Sequence, residues 1–209
     1  MQLQSSSFAD GAPIPGEFAF GVPDPKSHIA LGRNRNPELS WSGAPAGTQS
    51  LALICHDPDV PSRGDDVNKE GREIPASLPR VDFFHWLLLD IPPAMREIAA
   101  GSHSDGVVPR GKAGPEAKDA LRHGINDYTG WFAGDAGMKG NYYGYDGPCP
   151  PWNDSIVHHY TFTIYALDVP RLNVPGDDLT GANVRSALAG HILAQAQLTG
   201  TYTLNPRLR

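Results

Sequence analysis

Cysteine, clustered positive charge and long apolar runs are all scarce in this chain, and each scarcity narrows what it can be. Two cysteines among 209 residues fit a reducing compartment. Cys55 lies in a strand-like run and Cys149 in a proline-rich loop. They read as a buried thiol and a loop thiol, and sequence leaves a disulfide between them open. The 17 Lys and Arg are scattered among 23 Asp and Glu, for a net charge of −6. They form no basic run, which disfavours nucleic acid and anionic membranes as partners. No apolar stretch reaches the length that spans a bilayer. Met1 to Gly11 lacks both a basic start and an apolar core, so no secretory signal is read and a cytoplasmic location is expected. There is no phosphate loop of the form G-x-x-x-x-G-K-[ST], no G-x-G-x-x-G after a strand, and no G-x-S-x-G around a serine.

What the chain has in quantity is turn-forming residues: 23 Gly and 20 Pro, with 40% hydrophobic and 19% charged residues. That composition points to a globular protein with many turns between short strands. Three runs read as strong strands, over residues 49–56, 83–90 and 158–168. Glu38 to Trp41 reads as a short strand and Gln2 to Ser6 as a weak first one. Residues 57–81 read as a long polar loop. Residues 100–157 carry many glycines and little periodicity, a length of loop that usually signals function or local disorder. Near the end, Val184, Leu188, Ile192 and Ala196 recur every four residues, as one stripe of an amphipathic helix with Thr180 as N-cap and Gly200 just past its end. With no repeat and no low-complexity linker, residues 1–209 read as one domain: an all-β sandwich with a C-terminal α-helix.

Three polar residues stand at strand ends in register with apolar faces. Alternation puts Asp57 with Leu51, Leu53 and Cys55, His85 with Leu87 and Leu89, and His158 with Tyr160, Phe162 and Ile164. Such groups are costly to bury unless paired with each other or with a ligand, so a small polar pocket is the leading reading. His159 falls on the opposite face and is expected outside it. In Asp57-Pro58-Asp59-Val60-Pro61-Ser62-Arg63, the prolines stop the strand and stiffen the turn, and Asp59 and Ser62 suit turn capping. In Tyr145-Asp146-Gly147-Pro148-Cys149-Pro150-Pro151, a stiff loop leads toward His158. A pre-organised rim of this kind lowers the ordering cost of binding. One Asp and two His could hold a metal, but metal ligands often sit close in sequence and these are far apart. Protonated imidazoles suit an anion instead, with Asp57 orienting one ring.

At these residues the chain resembles the phosphatidylethanolamine-binding protein family, in its bacterial Raf-kinase-inhibitor-like branch. The segments that carry the resemblance are Asp57 to Arg63, His85 to Pro92, Gly144 to Pro151 and His158 to Asp168, with Asn126-Asp127-Tyr128 and the tail from Gly190 to Tyr202. The resemblance implies a two-sheet antiparallel β-sandwich with a small anion-binding cavity near one edge. It implies Asp57, His85, His158 and Tyr160 as pocket residues, Pro148, Pro150 and Pro151 as rim, and Asp59, Pro61, Ser62 and Arg63 as supporting loop, with a cis bond between Val60 and Pro61. It also implies ligands such as phosphate, phospholipid head groups or nucleotides, kinases or proteases as inhibited partners, and a homodimer. The chain departs from the family pattern in four places. His159 stands where the family usually has Arg, Trp152 to Val157 lengthens a loop, segments 64–82 and 111–124 are long, and Gly64-Asp65-Asp66 adds acid near the mouth.

The expectation is therefore a non-enzymatic, regulatory or inhibitory binder of a phosphate-like anion, with no cofactor and no metal. His85 and His158 are expected to donate to the anion, and Tyr160 to line the floor or donate through its hydroxyl. Two rivals come from other classes: a hydrolase using Asp57 and His85 with or without a metal, and a protease or kinase inhibitor acting through loops 64–82 and 100–157.

Overall fold

The structure is a computed structural model that describes residues 1–174 and 178–209. Its strands are β1 (Gln2–Gln4), β2 (Gly21–Asp24), β3 (His28–Leu31), β4 (Leu39–Ser42), β5 (Ser50–Pro61), β6 (Arg80–Ile91), β7 (Glu97–Ile98), β8 (Arg122–His123), β9 (His158–Leu167) and β10 (Ile192–Tyr202). Two short α-helices accompany them, α1 (Tyr128–Trp131) and α2 (Gly181–Leu188). The larger sheet has five strands in the order β10-β9-β5-β6-β8, all neighbours antiparallel. A three-stranded antiparallel sheet, β1-β4-β7, lies over one face of it, and β2 and β3 form a separate hairpin. The chain is thus all-β and antiparallel.

Both faces of the large sheet are buried, which is why its central strand reads as an unbroken apolar run. Leu51, Leu53 and Cys55 pack with Leu39, Trp41 and Ile98 of the small sheet. Ala52 and Ile54 point the other way, onto Val184 and Leu188 of α2. The Thr180 hydroxyl accepts from the Asn183 amide and caps that helix.

Two expectations fail here. The helix ends at Leu188, and Ile192 to Tyr202 is a strand. Ile192 is exposed, while Leu198, Gly200 and Tyr202 are buried on alternate positions against β9. The four-residue stripe of Val184, Leu188, Ile192 and Ala196 was compatible with a helix, but the turn at Gly190, with φ of 85°, breaks it. The Val60–Pro61 bond is trans; the cis bond among the described residues is Gly114–Pro115. Pro61 instead ends a strand that runs on through the Asp57 segment. Loops 11–47 also hold the β2–β3 hairpin, tightened by Asp24, whose carboxylate accepts from the Lys26 and Ser27 amides.

Candidate ligand pocket

The strands deliver the three polar residues to one end of the large sheet. Asp57 of β5 faces Phe83 of β6 across the ladder. His158 opens β9 with Tyr160 two positions on, in the alternation that also carries Phe162 and Ile164 into the core. His85 arrives differently from expectation. Cys55 pairs with Trp86 and His56 with Phe84, so His85 is an extra residue in the ladder, a β-bulge. Leu87 and Leu89 pack on the α2 side with Phe84, whereas Trp86 and Leu88 face the sandwich core. Strict alternation would have sent His85 with Leu87. The bulge re-aims it into a cavity of about 350 Å³ that it shares with Asp57, His158 and Tyr160.

Four charged groups form a chain beside that cavity. Arg80 donates twice to Asp154, at 2.6 and 3.0 Å. His158 Nε2 lies 3.1 Å from the same carboxylate, and His158 Nδ1 lies 2.7 Å from Asp57 Oδ2. Burial alone would lower the His158 pKa. The hydrogen bonds and charges of Asp154 and Asp57 outweigh it and raise the pKa to about 9. His158 is therefore an imidazolium at neutral pH, clamped between two carboxylates. Asp57 Oδ1 also accepts from the Asp59 amide at 2.7 Å.

His85 is tuned the opposite way. Its Nδ1 donates to the carbonyl oxygen of Asp146 at 2.7 Å, so the neutral ring keeps its lone pair on Nε2. Burial lowers its pKa against the opposing pull of Asp57, and the ring is neutral at pH 7. The carbonyl that fixes this tautomer is itself held. The Asp146 carboxylate, fully buried, accepts from Asn34 and Asn126 at 2.7 Å each and pairs with Lys112 at 2.8 Å. Tyr160 stacks edge-on to His85 with ring centroids 5.1 Å apart, and burial with the Asp57 charge pushes its phenol well above the ordinary range. It stays a hydroxyl donor.

The remaining predicted residues divide. Pro61, Ser62, Arg63, Pro150 and Pro151 line the cavity. Pro148 does not; it is buried behind the wall, where its carbonyl accepts from the Phe20 and Gly21 amides. Asp59 does not line it either. Its carboxylate takes the His159 amide and ring at 2.9 and 2.8 Å, a tie to the start of β9 in place of the turn capping expected of it. His159 is exposed, on the far face. His158 cannot donate to an anion as expected, because both of its ring nitrogens are engaged. The cysteines are free; Cys149 lines the cavity with its thiol pushed up to about 12 by burial.

Sequence reasoning missed one whole wall. Phe20, Tyr128 and Phe132 stack side by side, with centroids 4.6 Å apart for the first pair and 5.6 Å for Tyr128 and Phe132, and Trp131 stands half-exposed at the mouth. The signal was faint: Tyr128 to Phe132 is a small aromatic cluster in a glycine-rich stretch. Phe83 was legible, two positions before His85. Asp154 and Arg80 were not, since nothing local ties a loop acid to a distant strand start. Among the described residues, no three His, Cys, Asp or Glu side chains gather as a metal-holding group.

Residues 4–203 match the family described as PBP, phosphatidylethanolamine-binding protein. A protein of Methanothermobacter thermautotrophicus named UPF0098 protein is 32% identical over 202 residues, covering 97% of this chain and 98% of that one. A UPF0098 protein of Chlamydia muridarum is 33% identical with the same coverage. The crystal structure of Escherichia coli YbcL, described as a member of the mammalian PEBP family, superposes with a TM-score of 0.67 at 24% identity, covering 97% of both chains. That last likeness is one of fold.

Proposed function

The chain belongs to the phosphatidylethanolamine-binding protein family, and on that premise we propose that it is a non-enzymatic receptor for a small phosphate-like oxyanion, free or carried on an apolar group. Its use would be regulatory or inhibitory. The observation that carries the reading is the charge state of the cavity. His158 as a cation offsets Asp57, Arg80 offsets Asp154, and Arg63 on the wall adds one positive charge. His85 adds a neutral imidazole with an unprotonated Nε2. A phosphate monoanion meets this cavity well: its remaining P–OH can donate to His85 Nε2. A dianion fits once His85 takes a proton. Either way the bound state holds one more proton than the free partners do at neutral to alkaline pH.

The aromatic wall supports an organic ester on the anion, as in a head group or nucleotide, since flat apolar surface beside a charged floor suits an amphiphilic ligand.

Calorimetric titration with inorganic phosphate and with phosphoethanolamine tests this, in two buffers of different ionisation enthalpy. The expected result is net uptake of about one proton and tighter binding near pH ~6 than near pH ~8. His85→Ala should weaken binding and flatten the pH dependence. Affinity that ignores pH, or that survives His85→Ala unchanged, rejects the proposal.

A further inference from the structure

His103 and His123 do not line the anion cavity, and they meet each other nitrogen to nitrogen. His103 Nδ1 lies 3.1 Å from His123 Nε2, with ring centroids 5.2 Å apart and planes crossed at 64°. His85 and His158 are each oriented by an oxygen, a carbonyl for one and carboxylates for the other. Here, among the described residues, the partner of each facing nitrogen is the other ring. Two neutral imidazoles satisfy such a contact with one shared proton, or with a metal ion that accepts both lone pairs.

What favours the ion is how both rings are held. His123 belongs to β8, paired with β6 through Leu88, and its amide donates to the Pro115 carbonyl at 2.7 Å. Its ring lies flush on Gly144, where a Cβ would fall 2.7 Å from His123 Nδ1. Gly144 has φ of 84°, so the backbone and the close approach both require glycine there. The His103 amide donates to Oδ1 of fully buried Asn36 at 2.7 Å, and the ring is tilted against Trp86 with centroids 5.7 Å apart. Ligands fixed beforehand lower the ordering cost of binding. His123 is buried and His103 is partly exposed, so solvent reaches the pair from the His103 side.

The spacing and the surroundings set the class of ion. Zinc–nitrogen bonds are about 2.0–2.1 Å long, so one ion bonded to both nitrogens would see them at about 100°, close to tetrahedral. Lys118 and Asp119 act on His103 with opposite signs, and Lys112, which acts on His123, is paired with Asp146. A cation therefore meets nearly balanced charge. We propose that His103 Nδ1 and His123 Nε2 hold a divalent late first-row metal ion of the Zn²⁺ type, with water in its remaining positions. Imidazole nitrogens select against Ca²⁺ and Mg²⁺, which take oxygen ligands. Two protein ligands, fewer than a closed structural zinc site has, make the binding reversible and responsive to the free ion.

Calorimetric titration of the EDTA-treated full chain with zinc chloride tests this. The expected result is saturation at one ion per chain, with no saturation by magnesium chloride over the same range. His103→Ala alters a partly exposed loop residue, so it should keep the circular dichroism spectrum and lose the saturable binding. His85→Ala should take up Zn²⁺ as the unaltered chain does, because His85 Nε2 faces the other cavity. Nitrogen NMR of the isotope-labelled, unaltered chain needs no variant: Zn²⁺ should shift His103 Nδ1 and His123 Nε2 more than any other imidazole nitrogen. Absence of saturation overturns the proposal. So does binding that survives His103→Ala or vanishes in His85→Ala, or a shift centred on other histidines.

Discussion

At the scale of single residues, the pocket is a study in how neighbours set charge. His85 and His158 are both buried, yet one is neutral and the other cationic, because His158 meets two carboxylates and His85 meets a carbonyl. Asp154→Asn removes one of those carboxylates. It should bring the His158 pKa down from about 9 toward its ordinary 6.5, and NMR titration of the ring would follow it. A His158 that still titrates near 9 would show that Asp57 alone sets its charge. Lys112 is the second sensitive residue. It is the cation paired with fully buried Asp146, and removing one member of a buried pair costs about 3–5 kcal/mol. Lys112→Met should lose stability on that scale in urea unfolding, and Lys112→Met with Asp146→Asn should recover much of it. If the double variant is no more stable than the single, repulsion of an uncompensated carboxylate is not the cause.

At the scale of elements, the loop that walls the cavity takes several of its ties from one side chain. Asn153 Nδ2 donates to the carbonyls of Asp66 and Arg72, at 2.8 and 3.1 Å, and Asn153 Oδ1 accepts from the Asn68 amide at 3.0 Å. Val67 and Asn68 of that loop line the cavity. Asn153→Ala should release residues 64–74, and the lost bonds from a buried site cost about 1–3 kcal/mol. Limited trypsin digestion at Lys69 and Arg72 should then speed up; unchanged cleavage would mean the loop is held elsewhere. This loop also shows where sequence stops being legible. Its length could be read, but its anchor on a residue some 85 positions away could not. The three long strands and the positions of Asp57, His158 and Tyr160 were readable because period-two burial is a local pattern. His85 belonged to the pocket, yet for a reason the pattern misstates: a bulge is set by the partner strand. The C-terminal strand failed for a related reason. Ala194 and Ala196 fit a helix stripe and a small-residue sheet face equally well, and pairing with β9 decides between them.

At the scale of the whole molecule, five histidines divide into two sets that oppose each other in the dependence of stability on pH. His158 has a folded pKa of about 9 against an ordinary 6.5. Its stabilisation is complete below pH 6.5 and is lost as pH rises through about 9, a contribution of about 3 kcal/mol. His123, His103, His85 and His56 have pKa values lowered chiefly by burial, His123 to about 3. The folded protein refuses protons there that the unfolded chain accepts, so stability falls as pH drops below 6.5 and keeps falling toward about 3. Asp154, lowered by its bonds to His158 and Arg80 despite burial, adds to the acid loss below its ordinary 3.8. The sum is a dome whose crest lies near neutrality, with the alkaline limb owed to His158 and the acid limb shared. Urea unfolding from pH ~4 to pH ~9.5 should trace it. His158→Gln should flatten the alkaline limb, and His123→Phe should soften the acid one. Stability that climbs steadily from pH 6.5 to 9 would mean that the clamp of Asp57 and Asp154 does not hold a proton on His158. The neutral balance of the cavity floor, on which the binding of an oxyanion rests, would fail with it.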